Sequence, residues 1–176
     1  MRTFFQKEQK ATVAAEDTIQ LVTFRVGGQD CGLAINSVAE VVRPLRITPL
    51  PRMPQFIEGV INLRGTIIPV VDLRKRFVVD AAGSDERRAR MLITKGAIPE
   101  KGERELLALV VDGADEVIPI ARKDIAPPPE AATGTQADFI GGVGKAGDRL
   151  IIILDIQRIL SRQERTDLAE AHHAEP

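Results

Sequence analysis

Residues 56–77 read FIEGVINLRGTIIPVVDLRKRF, and residues 139–160, FIGGVGKAGDRLIIILDIQRIL, align on them without a gap. At a constant separation of 83 positions, six pairs are identical: Phe56/Phe139, Ile57/Ile140, Gly59/Gly142, Val60/Val143, Ile68/Ile151 and Asp72/Asp155. Each segment has an apolar run, a polar turn, a second apolar run, then an Asp that opens a short helical pattern. That is the pattern of a β-hairpin followed by a capped helix. Weaker upstream echoes recur at a separation of 85, in Leu21/Leu106, Val26/Val111, Gly28/Gly113 and Ile35/Ile120. The chain therefore reads as two copies of one β-unit, over 18–80 and 88–162.

Working outward from the repeat, 18 Ile and 15 Val in short runs between turn residues favour strands. Strands are expected at Ile19–Val26, Asp30–Ile35, Phe56–Leu63, Thr66–Val71, Arg90–Thr94, Leu106–Val111, Glu116–Ile120, Ile140–Val143 and Arg149–Leu154. Gly27-Gly28 and Asp112-Gly113-Ala114 read as hairpin turns. Short helices are expected at Ile35–Val42, where Ile35, Val38 and Val42 have helical spacing, and after Asp72 and Asp155. Residues 1–17, 80–89, 126–138 and 163–176 lack apolar periodicity and read as loosely ordered, and 95–105 as a projecting turn. The expected fold is mainly β. Hairpins that are unstable alone close into two small barrel-like subdomains with a groove at their junction.

Composition removes most chemistry. Among 176 residues there is one cysteine, Cys31, and the two histidines are adjacent at His172-His173 near the end. A disulfide within the chain, a multi-cysteine zinc site and His-dependent nucleophilic catalysis are therefore not expected, and no cofactor is implied. A net charge of −1 without Trp or Tyr argues against a base-stacking nucleic-acid binder. The N-terminus lacks the continuous apolar stretch of a signal peptide, and apolar runs such as Leu150–Leu154 are too short to span a bilayer. The expectation is a cytoplasmic protein that does not insert in the membrane.

Few residues stand out. Asp72 and Asp155 are the candidates for paired catalytic carboxylates. Their repeat equivalence instead favours helix caps, each worth about 1 kcal/mol. Asn62-Leu63-Arg64-Gly65 forms a turn, and the second copy has Lys145-Ala146-Gly147-Asp148 there. Arg64 is either a solvated loop charge or an arginine kept for a partner's carboxylate. Glu40 reads as an exposed acid on a short helix, and Val38 and Val41 as core or as an apolar contact surface. Cys31 reads as a small hydrophobe, Arg74-Lys75-Arg76 as one polar helix face, and Pro49–Pro54 as a rigid connection.

The stretch Phe56–Arg74 resembles the most distinctive segment of the CheW family, the adaptors of bacterial chemosensory arrays. The resemblance extends through Val38–Arg43, Leu109–Gly113, Phe139–Val143 and Ile151–Ile156, over about residues 18–162. It implies two SH3-like five-stranded barrels and no enzymatic activity. It also implies a scaffold that binds the cytoplasmic tip of a methyl-accepting chemoreceptor and the regulatory domain of the histidine kinase CheA, and is recruited to membrane arrays. Arg64 falls on the family arginine implicated in receptor coupling. Val38 and Glu40 fall on partner-binding positions, with Val41, Asn62, Leu63 and Gly65 beside them. A CheW-like adaptor of a pilus or other chemosensory pathway is the alternative, and a small β-barrel nucleic-acid binder a distant one.

Overall fold

The structure is a computed structural model that describes residues 17–77, 85–98, 105–128 and 138–174. Eleven strands run along the described chain: β1 (Thr18–Val26), β2 (Gln29–Ala34), β3 (Val38–Val42), β4 (Ile57–Leu63), β5 (Thr66–Asp72), β6 (Arg90–Ile98), β7 (Glu105–Val111), β8 (Gly113–Ala121), β9 (Ile125–Ala126), β10 (Ile140–Ala146) and β11 (Arg149–Leu154). Helix α1 (Leu73–Arg76) follows β5, and α2 (Arg162–Ala174) ends the described chain. Single 3-10 turns occupy Ile35–Ser37, Arg122–Asp124 and Ile156–Arg158.

The strands form two sheets, in the orders β8-β1-β2-β11-β10-β9 and β3-β6-β7-β5-β4, and neither ladder closes on itself. Matching positions are filled by matching hairpins. In each sheet a strand of the leading hairpin, β1-β2 or β6-β7, pairs in parallel with the last strand of the trailing hairpin, β11 or β5. The partners come from opposite copies. The hairpin β1-β2 of the first copy sits among β8–β11 of the second, while β6-β7 of the second joins β3–β5 of the first. The two sequence copies have thus exchanged hairpins, and neither forms a sheet of its own.

The exchange explains why the separation of 83 is structural and that of 85 is not. Asp72 N donates to Phe56 O and Asp155 N to Phe139 O, both at 2.8 Å. Gly59 and Gly142 each sit at a register shift in their hairpins. Val60 bridges Thr48 and Val143 pairs with Ala126, so the glycine in each copy lets an incoming segment approach. A Cβ on Gly59 would lie 2.0 Å from Thr48 O, and one on Gly142 2.9 Å from Ala126 O. By contrast, Leu21 and Leu106 lie on β1 and β7, which hold different places in their sheets.

The main core lies between the sheets. Phe24 and Leu33 from one meet Leu92 and Leu109 from the other, together with Phe139, Ile159 and Leu168. Each such side chain contributes roughly 1.5–3 kcal/mol on burial. Two smaller cores hold the remaining apolar positions: Ile61, Ile68, Val70, Met91 and Ile93 on the five-stranded sheet, and Leu21, Ile120 and Ile151 on the six-stranded one. Cys31 is buried on β2, and burial, with Asp30 beside it, pushes its thiol up to about 12.

All nine expected strands are present, but the expected pair of five-stranded barrels is one open six-stranded sheet and one open five-stranded sheet, and four further readings need correction. Val38–Val42 is a strand, not part of a helix. Its β-branched valines pair with β6, and a register shift between Val38 and Glu40 breaks the two-residue period so that the spacing imitates a helix. Asp112-Gly113 is not a hairpin turn: it carries the chain from β7 in one sheet to β8 in the other. Residues 162–174 form a helix anchored by Leu168, which is 2% exposed. The Arg74-Lys75-Arg76 run is not one solvated face, because Arg74 and Arg76 turn onto buried partners. Of the segments read as loosely ordered or projecting, 1–16, 80–84, 99–104, 129–137 and 175–176 lie outside the described residues.

Candidate functional site

Both copies use the Asp at the end of the second hairpin strand in the same way. Asp72 Oδ1 accepts from Arg74 N at 2.9 Å, and Asp155 Oδ1 from Gln157 N at 3.0 Å, so both cap a turn. The copies then diverge. Asp72 is 4% exposed and grips Arg74 twice more, Nε to Oδ1 at 3.1 Å and the second amino group to Oδ2 at 3.0 Å. The Asp72 carboxylate, by this hydrogen bond above all, raises the Arg74 guanidinium above its ordinary value. Arg74 also reaches Asp112 Oδ1 at 3.3 Å, and Asp112 Oδ2 accepts from Gly27 N at 2.6 Å. This chain of bonds ties α1 to the crossover and to the β1-β2 turn. Both aspartates are occupied as structural acceptors, although Asp155 also lines a shallow concavity at the end of the six-stranded sheet.

The turn between β4 and β5 is different in kind. Leu63 and Thr66 pair, leaving the two-residue loop Arg64-Gly65, with φ of 49° and 86°. Two left-handed residues in succession make the twist-matched hairpin turn that normally calls for Asn or Gly. Asn62 Oδ1 accepts from Gly65 N at 2.8 Å and steadies it. Arg64 nevertheless occupies the first left-handed position, where its repeat mate in the second copy is Gly147, with φ of 61°. A non-glycine residue there sacrifices roughly 1 kcal/mol of backbone preference. The arginine is therefore not explained by the turn.

Arg64 is 71% exposed, and its guanidinium donates to Glu40 Oε1 at 2.5 Å. Glu40 lies on β3 and Arg64 beyond β4, the two opposite edges of the five-stranded sheet. The pair therefore spans the open side of a sheet rolled far enough for its edges to meet. The Thr48–Val60 bridge crosses the same gap. The seam exposes Val41 at 42% and Ile67, which pairs with Asn62 in the hairpin.

The sequence-based candidates thus divide. Glu40, Asn62, Arg64 and Gly65 form one cluster, with Val41 next to Glu40 on β3. Val38 packs against the main core and Leu63 against the core of the five-stranded sheet, so these two are largely supporting residues. Ile67 was missed. Its signal was the pair Ile67-Ile68 in an alternating strand, where only one of the two can face inward. A shallow concavity of about 390 Å³ lies elsewhere, against Ile19, Ala34, Ser37, Ile125 and Ile153 at the end of the six-stranded sheet. Among the described residues, no cluster of three or more His, Cys, Asp or Glu is placed to hold a metal ion, and no helix is long and apolar enough to cross a membrane.

Fold and site together define a two-sheet β-protein that displays an arginine on a fixed, exposed turn. The comparisons make this specific. Residues 20–164 match the CheW-like domain model. The chain is 34% identical over 157 residues to the chemotaxis protein CheW of Treponema pallidum, covering 88% of this chain and 89% of that one. It is 30% identical over 156 residues to CheW of Klebsiella aerogenes, covering 87% and 90%. The crystal structure of the scaffolding protein TtCheW from Thermoanaerobacter tengcongensis superposes with a TM-score of 0.71 at 37% identity, covering 83% of this chain and 94% of that one. The chain belongs to the CheW-like family and is a chemotaxis scaffold of that family.

Proposed function

We propose that this scaffold couples the cytoplasmic tips of methyl-accepting chemoreceptors to the regulatory domain of CheA, without catalysing a reaction of its own. In this reading residues 18–162 are the working domain, each rolled sheet is an SH3-like barrel, and the protein is cytoplasmic and held at receptor arrays by its partners. It binds no nucleic acid and does not insert in the membrane. The observation that carries the reading is Arg64: exposed, in a left-handed turn, and at a place the second copy gives to Gly147. Backbone strain at an exposed position persists where the side chain is needed. The contact surface is Glu40, Val41, Asn62, Arg64 and Gly65, with Val38 and Leu63 supporting it from beneath. Arg64 is shared between Glu40 and a partner carboxylate, and its planar fork suits that exchange.

The test is a binding assay with a receptor cytoplasmic fragment and the CheA regulatory domain, comparing wild type with Arg64→Glu. The variant is expected to keep its circular dichroism spectrum and lose receptor binding by tenfold or more, about 1.4 kcal/mol. Wild-type binding by the variant would remove Arg64 from the site. A folded wild type that binds neither partner would overturn the adaptor reading itself.

A further inference from the structure

Among the described residues, two non-glycine side chains have positive φ, and both are exposed arginines: Arg64 at 49° and Arg52 at 60°. Arg52 follows Pro51 in a tight turn, at a position that turns led by proline commonly give to glycine. Its surroundings are firmly held. Leu50 and Met53 pack against the main core, Ile57 N donates to Pro54 O at 3.0 Å, and Thr48 is bonded in both directions to Val60. Nothing in this packing uses the guanidinium. Arg52 makes no ion pair among the described residues, whereas Arg64 is engaged by Glu40.

We infer that Arg52 is a second partner-binding residue, on a surface separate from that of Arg64, which receives a carboxylate of the CheA regulatory domain. The inference rests on the adaptor reading above. Its geometry is simple. Arg52 lies before the start of β4 and Arg64 beyond its end, and a strand of seven residues spans about 20 Å. A separation of about 20 Å leaves each strained arginine room to be the centre of its own contact patch. An adaptor that holds two partners at once needs two such surfaces. The resemblance matches Arg64 to receptor coupling, which leaves the kinase domain for Arg52. An unpaired guanidinium is suited to take a carboxylate bidentately, without first giving up an internal bond.

The experiment uses Arg52→Gly and Arg64→Gly in the full chain. Glycine relieves the left-handed backbone, so a purely structural arginine would leave binding intact. For Arg52→Gly the expected result is a thermal midpoint at or above that of wild type, kinase-domain affinity reduced by about tenfold, and receptor-fragment affinity unchanged. Arg64→Gly should give the reverse pattern. Kinase-domain affinity of Arg52→Gly within about twofold of wild type overturns the inference while leaving the adaptor reading intact. So does a loss confined to receptor binding, or a fall in both affinities together with the midpoint. A wild type that binds neither partner overturns the adaptor reading instead.

Discussion

Arg76 and Ile159 hold the same position in the two copies of the repeat, and they touch: Arg76 Nε donates to Ile159 O at 3.0 Å. The same guanidinium lies 4.6 Å from the ring centre of Phe56 and 5.4 Å from that of Phe139, another pair of repeat mates. A residue that meets its own equivalent marks a two-fold relationship between the copies. Arg76 breaks that symmetry, because its mate is an isoleucine. One charged side chain thus seals the centre of the molecule, with Glu164 of α2 at 3.8 Å on its outer side.

Arg76→Ala should therefore destabilise the fold by about 2–3 kcal/mol, since it strips a buried carbonyl of its donor and removes the stacking on two rings. Denaturant unfolding is the check. A change below about 0.5 kcal/mol would mean that water replaces the guanidinium at no loss.

Three glycines should rank in a fixed order when changed to Ala. Gly59→Ala drives a Cβ into Thr48 O and is expected to cost more than about 3 kcal/mol. Gly142→Ala, whose Cβ would lie 2.9 Å from Ala126 O, should cost less. Gly147→Ala meets nothing within 4 Å and bears only the left-handed strain, about 1 kcal/mol. Melting midpoints of the three variants test the order.

The Glu40–Arg64 pair is exposed on the Arg64 side, and exposed pairs contribute about 0–1 kcal/mol. Glu40→Gln is expected to shift stability by less than about 1 kcal/mol. A larger loss would make the pair a structural clasp of the rolled sheet rather than part of a contact surface.

The Cys31 thiol, held near 12 against an unfolded value of about 9, stays protonated in the fold. A raised value means that the folded chain binds the proton more tightly. Its contribution is thus complete below about pH 9 and is lost as pH rises from there towards 12. At neutral pH a thiol reagent should label Cys31 only as fast as the protein unfolds. Rapid labelling of the native protein would contradict its burial on β2.

The C-terminal helix is expected to belong to the folded unit. Leu168→Ala should cost about 2–4 kcal/mol by leaving a cavity in the main core. If denaturant curves of the variant and wild type coincide, α2 is an appendage instead.

Much of this was legible in the chain. Five of the six identities at one separation have plain physical reasons: a ring and two isoleucines for the cores, a glycine for a close approach, and a cap for the turn that follows. The start of α2 was also written in the sequence and overlooked. Ser161-Arg-Gln-Glu164 is a reciprocal capping box, with Glu164 N donating to Ser161 Oγ at 3.2 Å and Ser161 N to Glu164 Oε2 at 2.6 Å. The strand β3 was hidden because its register shift erased the alternation on which strand recognition depends.

By itself, then, the sequence determined the strand content, the hairpin repeat, the capping aspartates, and an arginine placed where the copy has no need of one. These are local properties, set by side-chain period and backbone preference within a few residues. Only the tertiary structure decided that the copies exchange hairpins, that Arg76 closes the centre, and that Glu40 meets Arg64. Each of those depends on which hairpin packs beside which. That choice is made by the burial of whole sheet faces, and no short stretch of residues encodes it.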